Sequence, residues 1–289
     1  ISRGLVGSEM CIRDSTKAKA IETYSHEYAM HFPQIQWPAG RPAKVSPIYD
    51  SLLKAGAVMG SYGGWERADW FTNNESLKKP ANSYDRQHWF DDVAKECNHV
   101  AEHCGVIDLT GFSRFEISGE GTSQWLETLI TGRLPKIGKV GLIYFSSHKG
   151  KVLTEMTATR ISEDHVWLLT GAGAYWHDRD WLNFNLPESS NIKIVDTTHD
   201  LGTMLLTGPK SDLLIAKLTD EKTDNESFPW LSHKSIKLCG EDTRVLKVSY
   251  AGEKGFEIHV HNNSMKLIYD ELVHHGENFN LIHFGMLAL

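Results

Sequence analysis

Residues 249–260 read Ser249-Tyr250-Ala251-Gly252-Glu253-Lys254-Gly255-Phe256-Glu257-Ile258-His259-Val260. The stretch predicts a hairpin, with strands over Arg244–Ser249 and Phe256–Val260. The turn Ala251–Gly255 holds two glycines, which take positive φ at little cost. Strand side chains alternate between faces, so Phe256, Ile258 and Val260 share one face, and Glu257, His259 and His261 the other. From pattern alone Glu257 reads as an exposed strand acid, the common state of such a residue. A carboxylate there also offers two acceptor oxygens to a ligand with paired N–H donors.

Working outward, Val140–Phe145 and Val152–Thr159 predict a second hairpin around Ser146–Lys151, with Glu155 on its second strand. Trp89, Val93, Cys97, Val100 and Cys104 recur at helical spacing and predict a helix over His88–Gly105. Strands follow at Val106–Thr110 and Arg114–Ser118, then a helix over Thr122–Ile130. A strand at Val166–Leu169 leads into a helix opened by Gly171–Ala174. Strands at Ile192–Thr197 and Gly202–Leu206 precede a helix with Pro209 in its first turn. A strand lies within Phe228–Cys239, a helix over Met265–His274, and another helix begins in Leu281–Leu289. Nearer the start, the spacing allows a helix up to His31, ended by Pro33. Ser46 is placed to cap a helix that has Pro47 in its first turn and ends near Gly56. The pattern is α+β, with antiparallel hairpins and interspersed helices. Strand–helix–strand–strand units occur in both halves, which predicts an internal near-repeat.

The chain has 289 residues, enough for one to three domains. Hydrophobic content of 40% and charged content of 23% are ordinary for a soluble globular protein. A net charge of −7 argues against nucleic acid or an anionic membrane as partner. The four cysteines form no Cys-x-x-Cys pair, so a reducing compartment is expected. No apolar run reaches the roughly 18 residues that a spanning helix needs, and residues 1–15 contain no secretory h-region. Leu5–Ser15 resembles translated sequencing-adapter DNA, so residues 1–15 are set aside as non-native. The first residue is not Met and Leu289 falls inside an apolar pattern, so the chain reads as a fragment cut at both ends.

No metal site is expected. His99 and His103 share a helix face, and His259 and His261 a strand face, but neither pair has a third ligand at workable spacing. His177-Asp178 reads as a cap or surface pair, since no nucleophile is placed near it.

Tyr250-x-Gly252-Glu253-x-Gly255-x-Glu257 resembles the signature of the aminomethyltransferase (glycine-cleavage T-protein) folate-binding fold. Ser46-Pro-x-Tyr-Asp50 followed by Gly64-Trp-Glu-Arg-x-x-Trp-Phe71 resembles the entry to the folate domain of dimethylglycine and sarcosine dehydrogenases. Residues 16–45 then resemble the tail of an N-terminal FAD-dependent oxidoreductase domain. Residues 46–289 resemble the folate-binding domain, incomplete at its C-terminus, with the family's C-terminal barrel domain missing. The resemblance implies that Glu257 holds the pterin ring of tetrahydrofolate, with Tyr250 and Glu253 in the same cofactor-binding group. Gly150-Lys-Val-Leu-Thr-Glu155 matches the place of the family's acid at the reactive end of the folate, which makes Glu155 the catalytic candidate. T-proteins usually carry Asp-Asp where this chain has Thr154-Glu155. A further family contact, an Arg, would lie beyond Leu289.

The implied activity is that of the folate half of an FAD- and tetrahydrofolate-dependent dimethylglycine/sarcosine-type dehydrogenase. Such a half captures the one-carbon unit of an oxidatively demethylated amine as 5,10-methylenetetrahydrofolate. Its partners would be the folate and an iminium, with FAD in the other half and no nucleic acid or membrane. The implied location is the cytoplasm, or the mitochondrial matrix in a eukaryote. Two alternatives are a stand-alone aminomethyltransferase of the T-protein type or folate-dependent demethylase, the first of which residues 17–45 argue against, and a non-enzymatic folate-binding scaffold of the iron–sulfur assembly type. The Lys-Gly-Cys-Tyr-x-Gly-Gln-Glu stretch of that last group is not found here.

Overall fold

The structure, a computed structural model, describes residues 15–30, 32, 35–79 and 83–289. The adapter-like stretch up to residue 14, and His31 and Pro33, lie outside the described residues. Helix α1 covers residues 15–25. Helix α2 (Tyr49–Lys54) leads into a small hairpin, β1 (Ala57–Tyr62) and β2 (Trp65–Phe71). Next come α3 (Phe90–Glu102), β3 (Cys104–Asp108), β4 (Ser113–Ser118), α4 (Thr122–Leu129) and β5 (Ile130–Thr131). The long hairpin is β6 (Val140–Ser146) and β7 (Val152–Ser162), followed by β8 (His165–Thr170), α5 (Tyr175–Phe184) and β9 (Lys193–Asp196). The second half runs β10 (Leu201–Thr207), α6 (Ser211–Ile215), β11 (His233–Leu238), β12 (Glu241–Leu246), β13 (Gly255–His261), α7 (Asn262–Gly276) and β14 (Leu281–His283).

These strands build two six-stranded sheets, ordered β5-β6-β7-β8-β4-β9 and β11-β12-β13-β10-β3-β14. The expected near-repeat is visible in them. The series β4-α4-β6-β7-β8-α5-β9 and β10-α6-β11-β12-β13-α7-β14 share element order and strand order. The differences are β5, an extra edge strand beside β6, and β3, which sits between β10 and β14 and pairs in parallel with β14. Helices α4 and α5 cover one face of the first sheet and α6 and α7 one face of the second, because burying apolar side chains drives the layering, while α3 packs Val100 on the opposite face of the second sheet against Ile107 and Leu205. Trp125, Leu126 and Leu182 seat α4 and α5 against Phe115, Ile117 and Leu168. Met265, Ile268 and Leu272 seat α7 against Ile258 and Val260. The inner faces turn toward each other, and Val140, Trp167, Leu169, Leu246 and Val248 close part of the seam.

Several expectations give way to packing. The Leu281–Leu289 segment starts as strand β14 rather than a helix, since Leu281–His283 pair with Cys104–Val106. Ser46 does not cap α2 with its side chain. Its carbonyl accepts from the Tyr49 N–H, and its hydroxyl serves Asp108. Pro209 lies before α6, outside its first turn. Asp178 is no surface acid: it is fully buried and takes hydrogen bonds from Thr154 and Thr170. In α3 the apolar stripe does not extend to Cys97, which is exposed, whereas Glu96 is buried. Cys97, Cys104 and Cys239 are free thiols.

The Glu96 carboxylate accepts the Phe71 N–H at 2.7 Å and the Gly285 N–H at 2.9 Å, tying α3 to β2 and to the segment after β14. Burial pushes this carboxyl up to about 7 from an ordinary 4.5, with the two N–H donors opposing. The folded state therefore keeps a proton that the unfolded chain has released. Stability falls as pH rises through that window, by up to about 3 kcal/mol for this one group. Urea unfolding at about pH 5 and about pH 8 checks it. The parent's loss between the two should shrink in Glu96→Gln, and equal losses would remove Glu96 as the cause.

Candidate functional site

The hairpin that opened the sequence lies at the seam between the sheets. β12 ends at Leu246, earlier than expected, and residues 247–254 cross to β13. Of the two turn glycines only Gly252 takes positive φ, at +77°. Gly255 is inside β13 for a different reason: a Cβ there would lie 3.0 Å from the Leu206 carbonyl oxygen on β10. The alternation along β13 is as expected, but its second face is covered by the other sheet. Glu257 and His259 are therefore each only 2% exposed.

A single hydrogen-bonded line runs through that face. The Glu257 Oε2 lies 3.1 Å from His259 Nε2, and His259 Nδ1 lies 2.8 Å from the Thr203 hydroxyl on β10. That hydroxyl accepts a short hydrogen bond from Arg114 of β4, across the seam. Arg114 is fully buried and also donates to the carbonyls of Thr110, Phe112 and Thr198. Burial lowers the Arg114 guanidinium to about 10, with Glu257 and Asp108 opposing. Burial likewise lowers the His259 imidazole to about 4, against the pull of Glu257. The edge of His259 meets the Trp167 ring, with centroids 4.6 Å apart at 82°. Beyond it Arg244 lies 4.4 Å over Trp167 and pairs with both oxygens of Glu116 at 2.9 and 3.1 Å.

Tyr250 comes to the same seam from the turn. Its hydroxyl lies 2.9 Å from the Thr157 hydroxyl on β7, and its ring stacks on Phe112 at 6.4 Å. Tyr250 stays 46% exposed; desolvation of the part that enters the seam, then the charge of Glu257, raises its phenol, with the Thr157 hydrogen bond opposing and Glu155 adding a smaller push. Glu155 stands two residues from Thr157 on the same face of β7, exposed and paired in register with Tyr144. The structure thus brings Glu257, Tyr250 and Glu155 to one seam, though about a hundred residues separate them in sequence. Glu253 sits in the turn, half-buried, and among the described residues no hydrogen bond or ion pair joins it to the others. Among the described residues no three His, Cys, Asp or Glu side chains group as metal ligands. None of the described helices is long and apolar enough to cross a membrane.

Arg114, Thr203, Thr157 and Phe112 carry no sequence motif, and sequence reasoning misses them. The available signal was the placement of a charged Arg114 on the strand predicted at Arg114–Ser118. A buried cation needs buried acceptors, which implies a polar seam.

Chemically, the site pairs a buried carboxylate, able to accept paired N–H donors, with an aromatic wall and a second, solvent-reached carboxylate. The orphaned hydroxyl of Thr159 and indole N–H of Trp167, both fully buried, add polar capacity on the same face. That donor set fits a flat, hydrogen-bonding ring system.

Known proteins resemble the chain over most of its length. Residues 48–289 match the GCVT N-terminal domain family, and residues 13–46 match the FAD dependent oxidoreductase central domain family. The mitochondrial dimethylglycine dehydrogenase of Rattus norvegicus is 30% identical over 276 residues, covering 95% of this chain and 32% of that protein. The mitochondrial sarcosine dehydrogenase of Homo sapiens is 24% identical over 316 residues, covering 94% of this chain and 34% of that protein. The crystal structure of glycine cleavage system aminomethyltransferase T from Bartonella henselae superposes with a TM-score of 0.69 at 20% identity. It covers 85% of this chain and 60% of that one, a likeness of fold. The chain spans about a third of the length of these two dehydrogenases.

Proposed function

The chain belongs to the GCVT N-terminal domain family, as an aminomethyltransferase-like domain related to dimethylglycine and sarcosine dehydrogenases, and from that premise we propose that it binds tetrahydrofolate to capture one-carbon units. The one-carbon unit comes from an oxidatively demethylated amine and leaves as 5,10-methylenetetrahydrofolate. The observation that carries the reading is the buried Glu257 carboxylate, set on the same seam as Tyr250 and Glu155.

When bound, tetrahydrofolate would supply two nucleophilic nitrogens to the electrophilic carbon of the iminium, and the demethylated amine would depart with one of the two released protons. Glu257 accepts the paired N–H donors of the pterin edge and sets its orientation. Tyr250, stacked on Phe112, would flank the pterin ring, with Glu253 nearby on the turn. Glu155, at the open side, positions the reacting amines and accepts or relays the proton released on capture. The match of residues 13–46 supports an FAD-dependent oxidoreductase half working with this one. The described residues of that stretch form a helix and a loop without a glycine-rich phosphate cradle, so no flavin step is assigned to them. The setting proposed is the mitochondrial matrix or the bacterial cytoplasm, with no nucleic-acid or membrane partner.

Calorimetric titration with 5-formyltetrahydrofolate, an air-stable folate, tests the reading. Saturable one-to-one binding is expected, and its absence would overturn the proposal. Tyr250→Phe keeps the ring and loses the Thr157 hydrogen bond. It should weaken binding by no more than about 1 kcal/mol, roughly fivefold. Tyr250→Ala also removes the wall and should weaken it further, and equal affinities would remove Tyr250 from the site.

A further inference from the structure

We propose that His259 is a positioning residue for Glu257, holding its carboxylate in one orientation across the seam through an Arg114–Thr203–His259 hydrogen-bond chain. Its bearing on folate rests on the reading above, but the chain itself can be tested without any ligand.

The direction of the chain is fixed by chemistry. A guanidinium has only donors, so Arg114 must donate to the Thr203 oxygen. The Thr203 proton is then free for His259 Nδ1, 2.8 Å away. An imidazole accepting at Nδ1 carries its proton on Nε2, which lies 3.1 Å from Glu257 Oε2. Burial already favours that neutral form of His259. Every donor in the line therefore points toward Glu257, because in the other neutral tautomer a bare His259 Nε2 would face the Glu257 carboxylate oxygen at 3.1 Å, acceptor against acceptor. Trp167 packs against the imidazole, whose side chain is fully buried, so the ring is held in place.

A purely structural role does not account for the arrangement. Buried polar clusters of this kind are often replaced by apolar residues of like volume without loss of stability. What the chain does supply is an N–H aimed at one carboxylate oxygen, leaving the other for a ligand. Among the described residues no other side-chain hydrogen bond reaches Glu257. The charged and titratable groups that act on the Glu257–His259 pair are Arg114 from β4, Arg244 from β12 and Tyr250 from the turn, with Glu155 of β7 acting on Tyr250. A hydrogen bond to the charged form favours it, and desolvation without one disfavours it.

The test follows the Glu257 side-chain carboxyl by carbon-13 NMR titration in the parent, His259→Phe, His259→Gln and Thr203→Val. His259→Phe should move the Glu257 midpoint upward by at least about one pH unit. His259→Gln restores an N–H donor and should bring it back toward the parent. An unmoved midpoint in His259→Phe would overturn the proposal. If that variant does not fold, Thr203→Val decides by the same criterion, with a smaller upward shift expected. Binding of 5-formyltetrahydrofolate is measured alongside. His259→Phe should lose about tenfold or more in affinity, with the loss growing as pH falls from about 8 to about 6. A parent that shows no folate binding but the expected NMR shifts would defeat the folate reading and leave the positioning chain standing. Folate binding with unmoved midpoints would do the reverse.

Discussion

Glu257→Gln is expected to lower the proposed affinity for tetrahydrofolate about 30- to 150-fold, the equivalent of about 2–3 kcal/mol for one partner of a charge-assisted hydrogen bond. The amide keeps the size of the side chain but has one acceptor oxygen where the carboxylate has two. Its NH2 group also meets the donor N–H of His259, which lies 3.1 Å from Glu257 in the parent. This bond exists in the bound ground state, so its loss is read directly by calorimetry. Glu155→Gln should behave differently. Glu155 is exposed at the open side of the seam, and its proposed work begins when the electrophile arrives. Its removal should lower one-carbon transfer more than folate binding. Normal folate binding by Glu257→Gln, or transfer at the parent rate by Glu155→Gln, would show that the roles are misassigned.

Arg114→Met is the substitution expected to cost most stability, about 3–5 kcal/mol, as for removal of one partner from a buried charged network. Methionine has a similar reach and fills much of the space, so lost volume contributes little. The loss comes from what the guanidinium leaves behind. The carbonyls of Thr110, Phe112 and Thr198 and the Thr203 hydroxyl lose their donor. Glu257 and Asp108 lose the cation between them. Urea unfolding gives the value, and a loss below about 1 kcal/mol would mean that Arg114 is not holding the sheets' polar seam together.

Much of the fold could be read in the sequence because the elements carry their own punctuation. The alternation in Val152–Thr159 and the Gly119–Thr122 turn into α4 needed no tertiary information. The failures share a cause: burial imposed from elsewhere. Leu281-Ile-His is equally apolar as helix or strand, and the open edge of β3 decides it. Glu96 sits on the helix face that β2 and the Gly285 segment cover, and no local pattern announces two backbone N–H groups arriving from distant segments. The site divides in the same way. Glu257, Tyr250 and Glu155 could be picked out by resemblance to a known signature. His259 was legible only as half of an incomplete metal pair. Its actual partners, Thr203 and Glu257, depend on β10 lying beside β13. That the unmarked face of β13 is internal, and Glu257 with it, follows from the second sheet alone.

The strand that breaks the repeat has a consequence for how the protein can be divided. β3 precedes the whole first sheet in the chain yet sits inside the second, between β10 and β14. A cut in the link between β9 and β10 would therefore not release two self-sufficient modules. The C-terminal piece would carry a gap one strand from the edge of its sheet, with the unpaired backbone groups of β10 on one side and β14 on the other. The two halves are interlocked by a lent strand, so the pair of sheets that frames the Glu257 seam is inherited, assembled and lost as one object.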